Sequence, residues 1–110
     1  MSTAKTILIV DDSENDRSLF RHYIERDPNN NYRILEAETI NQGAELWRSQ
    51  NPDMALVDFN LTDGNGLVFL ETIREYIRGN SSEQVLDLKL PVIIVAGNED
   101  ARNATSAMRL

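Results

Sequence analysis

Three short apolar runs, and the residues each one runs into, constrain this chain more than any other feature. Ile7-Leu8-Ile9-Val10 meets Asp11-Asp12, Ala55-Leu56-Val57 meets Asp58, and Val92-Ile93-Ile94-Val95 meets Ala96-Gly97. Short runs rich in Ile and Val, bounded by polar residues, suit strands buried on both faces of a parallel sheet. Open parallel sheets bind their ligands beyond the carboxyl ends of the strands. Two of the three runs therefore deliver carboxylates to one edge, where a phosphate or metal site can be built.

The 110 residues allow one domain, large enough to bury a core without staples. Cysteine is absent, which rules out a disulfide framework and a thiolate metal site. With 11 basic and 18 acidic residues the net charge is −7, a poor balance for sequence-independent binding to nucleic acid or an anionic membrane. No apolar stretch approaches the roughly 20 residues that span a bilayer. The opening Met1-Ser2-Thr3-Ala4-Lys5 does not read as a signal peptide. A cytoplasmic protein without membrane association is the expectation.

Helical patterns alternate with the runs. Ser13 is placed to cap a helix with Leu19, Phe20, Tyr23 and Ile24 on one stripe, which Asp27-Pro28 ends. Tyr32 to Ala37 is half polar and reads as a strand near a sheet edge. Thr39 with Gln42 forms a capping box for a helix whose buried positions are Ile40, Ala44 and Trp47, stopped by Asn51-Pro52. Asn65-Gly66 opens a third helix with Leu67, Leu70, Ile73 and Ile77 on one side. A polar connection, Gly79 to Leu88, precedes the last run, and a helical pattern from Glu99 holds Ala101, Ala104, Ala107 and Met108. The order β-α-β-α-β-α-β-α predicts an α/β fold, a doubly wound parallel sheet with helices on both faces.

Each aspartate alone reads as a loop starter or helix cap. Three at the ends of buried strands repel one another, which is tolerable where a cation sits among them. Oxygen ligands completed by water and phosphate are the preference of Mg²⁺.

Taken together, Ile7-Leu8-Ile9-Val10-Asp11-Asp12-Ser13, Ala55-Leu56-Val57-Asp58-Phe59-Asn60-Leu61 and Asn65-Gly66 resemble the receiver domains of two-component response regulators. The resemblance runs from about Lys5 to the last residue and implies a flavodoxin-like, CheY-like fold. It implies that Asp58 is the phosphoacceptor, taking a phosphoryl group from a histidine kinase or phosphotransfer protein. It also implies Mg²⁺ as cofactor, held by Asp12, Asp58 and the Asn60 carbonyl, with Asp11 in the acidic pocket orienting a water on the metal. A carboxylate is a weak nucleophile, and Mg²⁺ aids in-line attack on phosphorus by neutralising charge on both partners. Such a module signals and is not itself an enzyme.

The chain departs from the family pattern in three places. Ala96 stands at the switch position, where receivers carry Ser or Thr, and brings no hydroxyl. Receivers keep a lysine at the end of a fifth strand; the chain stops at Arg109-Leu110 before one, and Lys89 precedes the fourth strand, at the wrong edge. Thr62 replaces a usual proline. The expectation is therefore a domain over 1–110 that lacks the last strand and helix, a fragment ending after the fourth helix. It is expected to bind Mg²⁺ but to accept phosphate poorly. A truncated sheet edge could also pair two copies into a homodimer.

Two other functions compete. Asp58-Phe59-Asn60-Leu61-Thr62 looks somewhat like the nucleophile motif of haloacid-dehalogenase-type phosphatases, which want a second aspartate where Asn60 stands. A receiver-like interaction domain that works without phosphate is favoured by Ala96 and disfavoured by the complete acidic trio. His22 reads as a solvated or half-buried helix residue, Trp47 as core, and Tyr23 and Tyr76 as half-buried. Gly64 and Gly66 read as loop residues at positive φ.

Overall fold

A computed structural model describes residues 4–28, 31–79 and 91–95. Its elements are β1 (Lys5–Val10), α1 (Glu14–Glu25), β2 (Tyr32–Ala37), α2 (Ile40–Gln50) and β3 (Met54–Asp58). A two-residue ribbon follows, β4 (Asn60–Leu61) and β5 (Gly64–Asn65), then α3 (Gly66–Gly79) and β6 (Val92–Val95). The connection 80–90 and everything from Ala96 onward, including Lys89 and the helical pattern after Glu99, lie outside the described residues.

The four long strands form one parallel sheet in the order β2-β1-β3-β6. Among the described residues β2 is an edge strand, as its half-polar sequence predicts. Leu8 lies between Leu35 and Ala55, and Val57 pairs with Ile94, so the apolar runs are in register. The chain leaves β1 to one side for β2 and returns across it for β3. The junction of β1 and β3 is thus the point where winding reverses, the place where a doubly wound sheet opens a crevice beyond its strand ends.

Side chains alternate across each strand, so one face of the sheet takes Leu8, Val10, Ala55 and Val57. These form the main core with Ile40, Ala44 and Trp47 of α2 and Phe69 and Ile73 of α3. Trp47 packs edge-on to Phe69, centroids 6.4 Å apart, as a core residue should. α2 comes close to β1 because Gly43 has no side chain: a Cβ there would lie 2.8 Å from Val10 Cγ2.

α1 contacts β1 and β2, and none of its residues joins that core; it covers the opposite face, where Ile7 and Ile9 are buried. Its predicted stripe is corrected. Leu19 and Tyr23 are 52% and 60% exposed, while Arg17 is buried and Phe20, Arg21 and Ile24 are half-buried. The helix turns a partly charged line toward the sheet, because Glu36 on β2 alternates away from the apolar core and pairs with Arg17 and Arg21. The stripe on α3 is also corrected. Phe69 and Ile73 are fully buried, whereas Leu67, Leu70 and Ile77 flank them half-buried. Burial on both faces holds for β1 but not for β6. Ile94 is buried and Ile93 is 44% exposed, since β6 pairs only with β3 among the described residues.

Local caps follow the sequence closely. Asp16 N donates to Ser13 Oγ at 3.2 Å, and Gln42 N to Thr39 Oγ1 at 3.1 Å. The return arm of the Thr39 capping box reaches one residue further than expected: Glu38 N, not Thr39 N, donates to Gln42 Oε1 at 2.9 Å. Asn51 closes α2 in the left-handed conformation at φ 48°.

Candidate functional site

Asp11 and Asp12 follow β1 directly, and Asp58 is the last residue of β3. Parallel pairing of β1 with β3 therefore brings the three aspartates to one edge of the crevice. One carboxylate oxygen from each lies within 4.8 Å of the others. Asp11 is buried, Asp58 half-buried and Asp12 exposed, so the cluster has a closed floor and an open mouth. The arrangement can hold a metal ion, with hard oxygen donors throughout.

The electrostatics are those of an acidic pocket in which burial and like charge outweigh the nearby Arg17. Burial, then the Asp11 charge and the Asp12 charge, push the Asp58 carboxyl up to about 6, against some relief from the backbone N–H groups of Asn60 and Phe59. Burial also raises Asp11, opposed by the hydrogen bond from Ser13 N to its Oδ1 at 2.9 Å. Carboxyls shifted upward by mutual repulsion and desolvation mark a place that favours a cation.

The loops behind the carboxylates are held by backbone and side chain alike. Asp11 N donates to Ala37 O at 3.0 Å, and Arg17 Nη1 donates to Asp11 O at 2.6 Å. After Asp58, Phe59 N donates to Val95 O at 2.9 Å and Gly66 N to Phe59 O at 2.8 Å. Asn60 then pairs with Asn65, and Leu61 with Gly64, in the short antiparallel ribbon. Asn65 Oδ1 accepts from Leu67 N and Val68 N, which starts α3 as the Asn-Gly pair predicts.

The glycine reading is half right. Gly64 has φ 147°, but Gly66 does not have positive φ; it is small because a Cβ would come within 3.2 Å of Asp58 O and 3.1 Å of Ile94 Cγ2. Of the expected site residues, Asp11, Asp12 and Asp58 come together, Asn60 lies on the ribbon beside them, and Ala96 is outside the described residues. His22 is exposed beside Tyr23 on α1.

Two residues around the site carry no sequence signal. Arg17 is buried one turn into α1, tied to Asp11 O and Glu36. Asp63, at the tip of the ribbon, accepts from Ile40 N at 2.9 Å and Asn41 N at 3.2 Å. Both act on partners distant in sequence, which no local pattern encodes.

Comparison with known proteins places this geometry in a family. The model of the response regulator receiver domain matches residues 7–110. The KDP operon transcriptional regulatory protein KdpE of Escherichia coli is 26% identical over 93% of this chain and 39% of its own length. The chemotaxis protein CheY of Halobacterium salinarum is 31% identical over 69% of this chain and 61% of its own. The chain thus spans less than two thirds of these relatives. Among solved structures, the MaeR response regulator bound to beryllium trifluoride superposes with a TM-score of 0.68 at 26% identity, covering 96% of this chain and 78% of that one. Parallel sheet, acidic cluster and family model agree, and the chain belongs to the response regulator receiver domain family.

Proposed function

We propose that this chain is a phosphoacceptor module of a two-component system, with Asp58 as the acceptor and Mg²⁺ as cofactor. The observation that carries the reading is the trio of carboxylate oxygens within 4.8 Å at the strand ends, two of its members raised by burial and by neighbouring carboxylates. The donor is a phosphohistidine on a kinase or phosphotransfer protein. An Asp58 carboxylate oxygen forms the new O–P bond as the N–P bond breaks, and the leaving imidazole takes up a proton. Asp12, Asp58 and the Asn60 carbonyl are the residues to hold Mg²⁺, which supplies charge neutralisation for two anions that must meet. Asp11, buried and fixed by Ser13 N, would orient a water on the bound metal.

The phosphatase reading has less support. Asn60 stands where such enzymes need an acid, and the receiver model matches nearly the whole chain. As a domain over 1–110, the chain serves as a regulatory unit whose output depends on its partner. KdpE is a transcriptional regulatory protein, and that kind of output is consistent with the module.

Incubation with a small-molecule phosphodonor and Mg²⁺, followed by intact-mass measurement, tests the proposal. A phosphoryl adduct on the wild type and none on Asp58→Asn is the expected pattern. Ala96, which lacks the hydroxyl of the family's switch position, predicts slow accumulation. No adduct with any donor, at any time, would favour a domain that signals without phosphate.

A further inference from the structure

The N-terminus of α2 is capped by a residue from a different part of the chain. A helix begins with backbone N–H groups that lack intrahelical acceptors. Gln42 N finds Thr39 Oγ1 locally. Ile40 N and Asn41 N instead donate to the two carboxylate oxygens of Asp63, 23 and 22 residues away in sequence. The charge suits the site, since an anion is favoured at the positive end of a helix.

Asp63 is the tip of the ribbon that begins at Asn60. The base of that ribbon is fixed on both sides of Phe59, by Val95 O and by Gly66 N. Leu61 buries its side chain in the core. Next to the tip, Gly64 packs so closely on α2 that a Cβ would lie 2.7 Å from Ile40 Cδ1. The short segment carrying the Asn60 carbonyl is thus anchored at its base by the sheet and at its tip by α2.

We propose that Asp63 is a positioning residue for the metal site, the tether that couples the start of α2 to the segment carrying Asn60. The inference rests on the reading of this pocket as a Mg²⁺ site. Coupling between binding and tether is reciprocal: a metal that orders Asn60 strengthens the Asp63 contacts, and loss of those contacts weakens the metal.

The test is a Mg²⁺ titration of the 110-residue chain followed by backbone amide resonances, on wild type, Asp63→Ala, Asp63→Asn and Thr39→Ala. In the wild type, the Ile40 and Asn41 amides shift with the same midpoint as those of Asp12 and Asn60. Asp63→Ala binds roughly tenfold more weakly, the scale seen when a supporting partner of a ligand is lost, and its Ile40 and Asn41 signals no longer follow the metal. Asp63→Asn, which keeps one acceptor oxygen, falls between. Thr39→Ala weakens the same helix end without touching the ribbon and leaves the midpoint unchanged. An Asp63→Ala midpoint equal to wild type, or a Thr39→Ala loss as large as that of Asp63→Ala, overturns the tether alone. A wild type with no Mg²⁺ response overturns the metal-site reading and the tether with it.

Discussion

Arg17 donates from Nη1 to the main-chain carbonyl of Asp11 at 2.6 Å, setting a buried cation behind the acidic cluster. The same guanidinium donates through Nε to Glu36 at 3.0 Å. The start of α1, the end of β1 and edge strand β2 are thereby joined through one side chain. No buried side-chain nitrogen or oxygen among the described residues lacks a partner.

Replacing Arg17 with Met keeps much of the volume and removes every donor. The Asp11 carbonyl loses its partner, and leaving a buried acceptor unsatisfied costs about 1–3 kcal/mol. A urea midpoint lowered by that loss divided by the slope, with the slope itself unchanged, is the expected result. Since Arg17 also favours the charged form of Asp11, Arg17→Met raises the Asp11 midpoint further, readable by carboxyl-carbon NMR titration.

How much of this was legible in the sequence depends on the range of each interaction. The apolar runs of β1 and β3 and their aspartates were readable because strand and site residue are adjacent in sequence. Ser13, Thr39 and Asn65 were readable because a cap acts within three residues. Arg17 was not, because its partner Glu36 lies on β2 and a buried arginine breaks the apolar count that put the stripe on Leu19, Phe20, Tyr23 and Ile24. Asp63 was not, because its acceptor role appears only when the ribbon folds onto α2. Phe69 was missed for a different reason. α3 has apolar residues on several sides, so periodicity alone could not select which line faces the sheet.

The raised carboxyl of Asp58 makes stability pH-dependent in a defined sense. Its midpoint is about 6 in the folded chain against an ordinary 3.8, so the folded state holds a proton that the unfolded state has released. The associated stability is fully present below pH 3.8 and is lost as pH rises through about 6. Glu36 and Asp63 are lowered instead; their contributions are present above the ordinary carboxylate range and fade on further acidification. Metal-free protein should therefore lose roughly 1 kcal/mol between pH 4.5 and 7, after allowance for the solvent screening of a half-exposed group. Urea melts across that window check it. The fall should be smaller in Asp58→Asn, where the raised Asp11 still contributes, and shallower in saturating Mg²⁺.

Gly43 sits inside α2, where Ala is normally the better helix former by up to about 1 kcal/mol. Here the sign reverses. The added methyl would stand 2.8 Å from Val10 Cγ2 and 3.1 Å from Phe69 Cε1, and overpacking of a filled core costs about 1–3 kcal/mol. Gly43→Ala is expected to be net destabilising by about 1 kcal/mol in chemical denaturation. Adding Val10→Ala should give a double variant more stable than the sum of the two losses, because the deleted methyls make room for the new one.

Leu19 and Phe69 test which helix faces are buried. Both lie among apolar neighbours in sequence, yet Leu19 is 52% exposed and Phe69 is fully buried between α2 and the sheet. Phe69→Ala removes the ring that meets Trp47 edge-on and should cost about 3–5 kcal/mol. Leu19→Ala should change stability by no more than about 0.5 kcal/mol, as at other exposed positions. Urea melts of the two variants at one protein concentration give the ratio directly. A Leu19→Ala loss several times larger would mean that α1 buries this face in solution, and repeating the melts over a range of concentrations would show whether a second copy covers it.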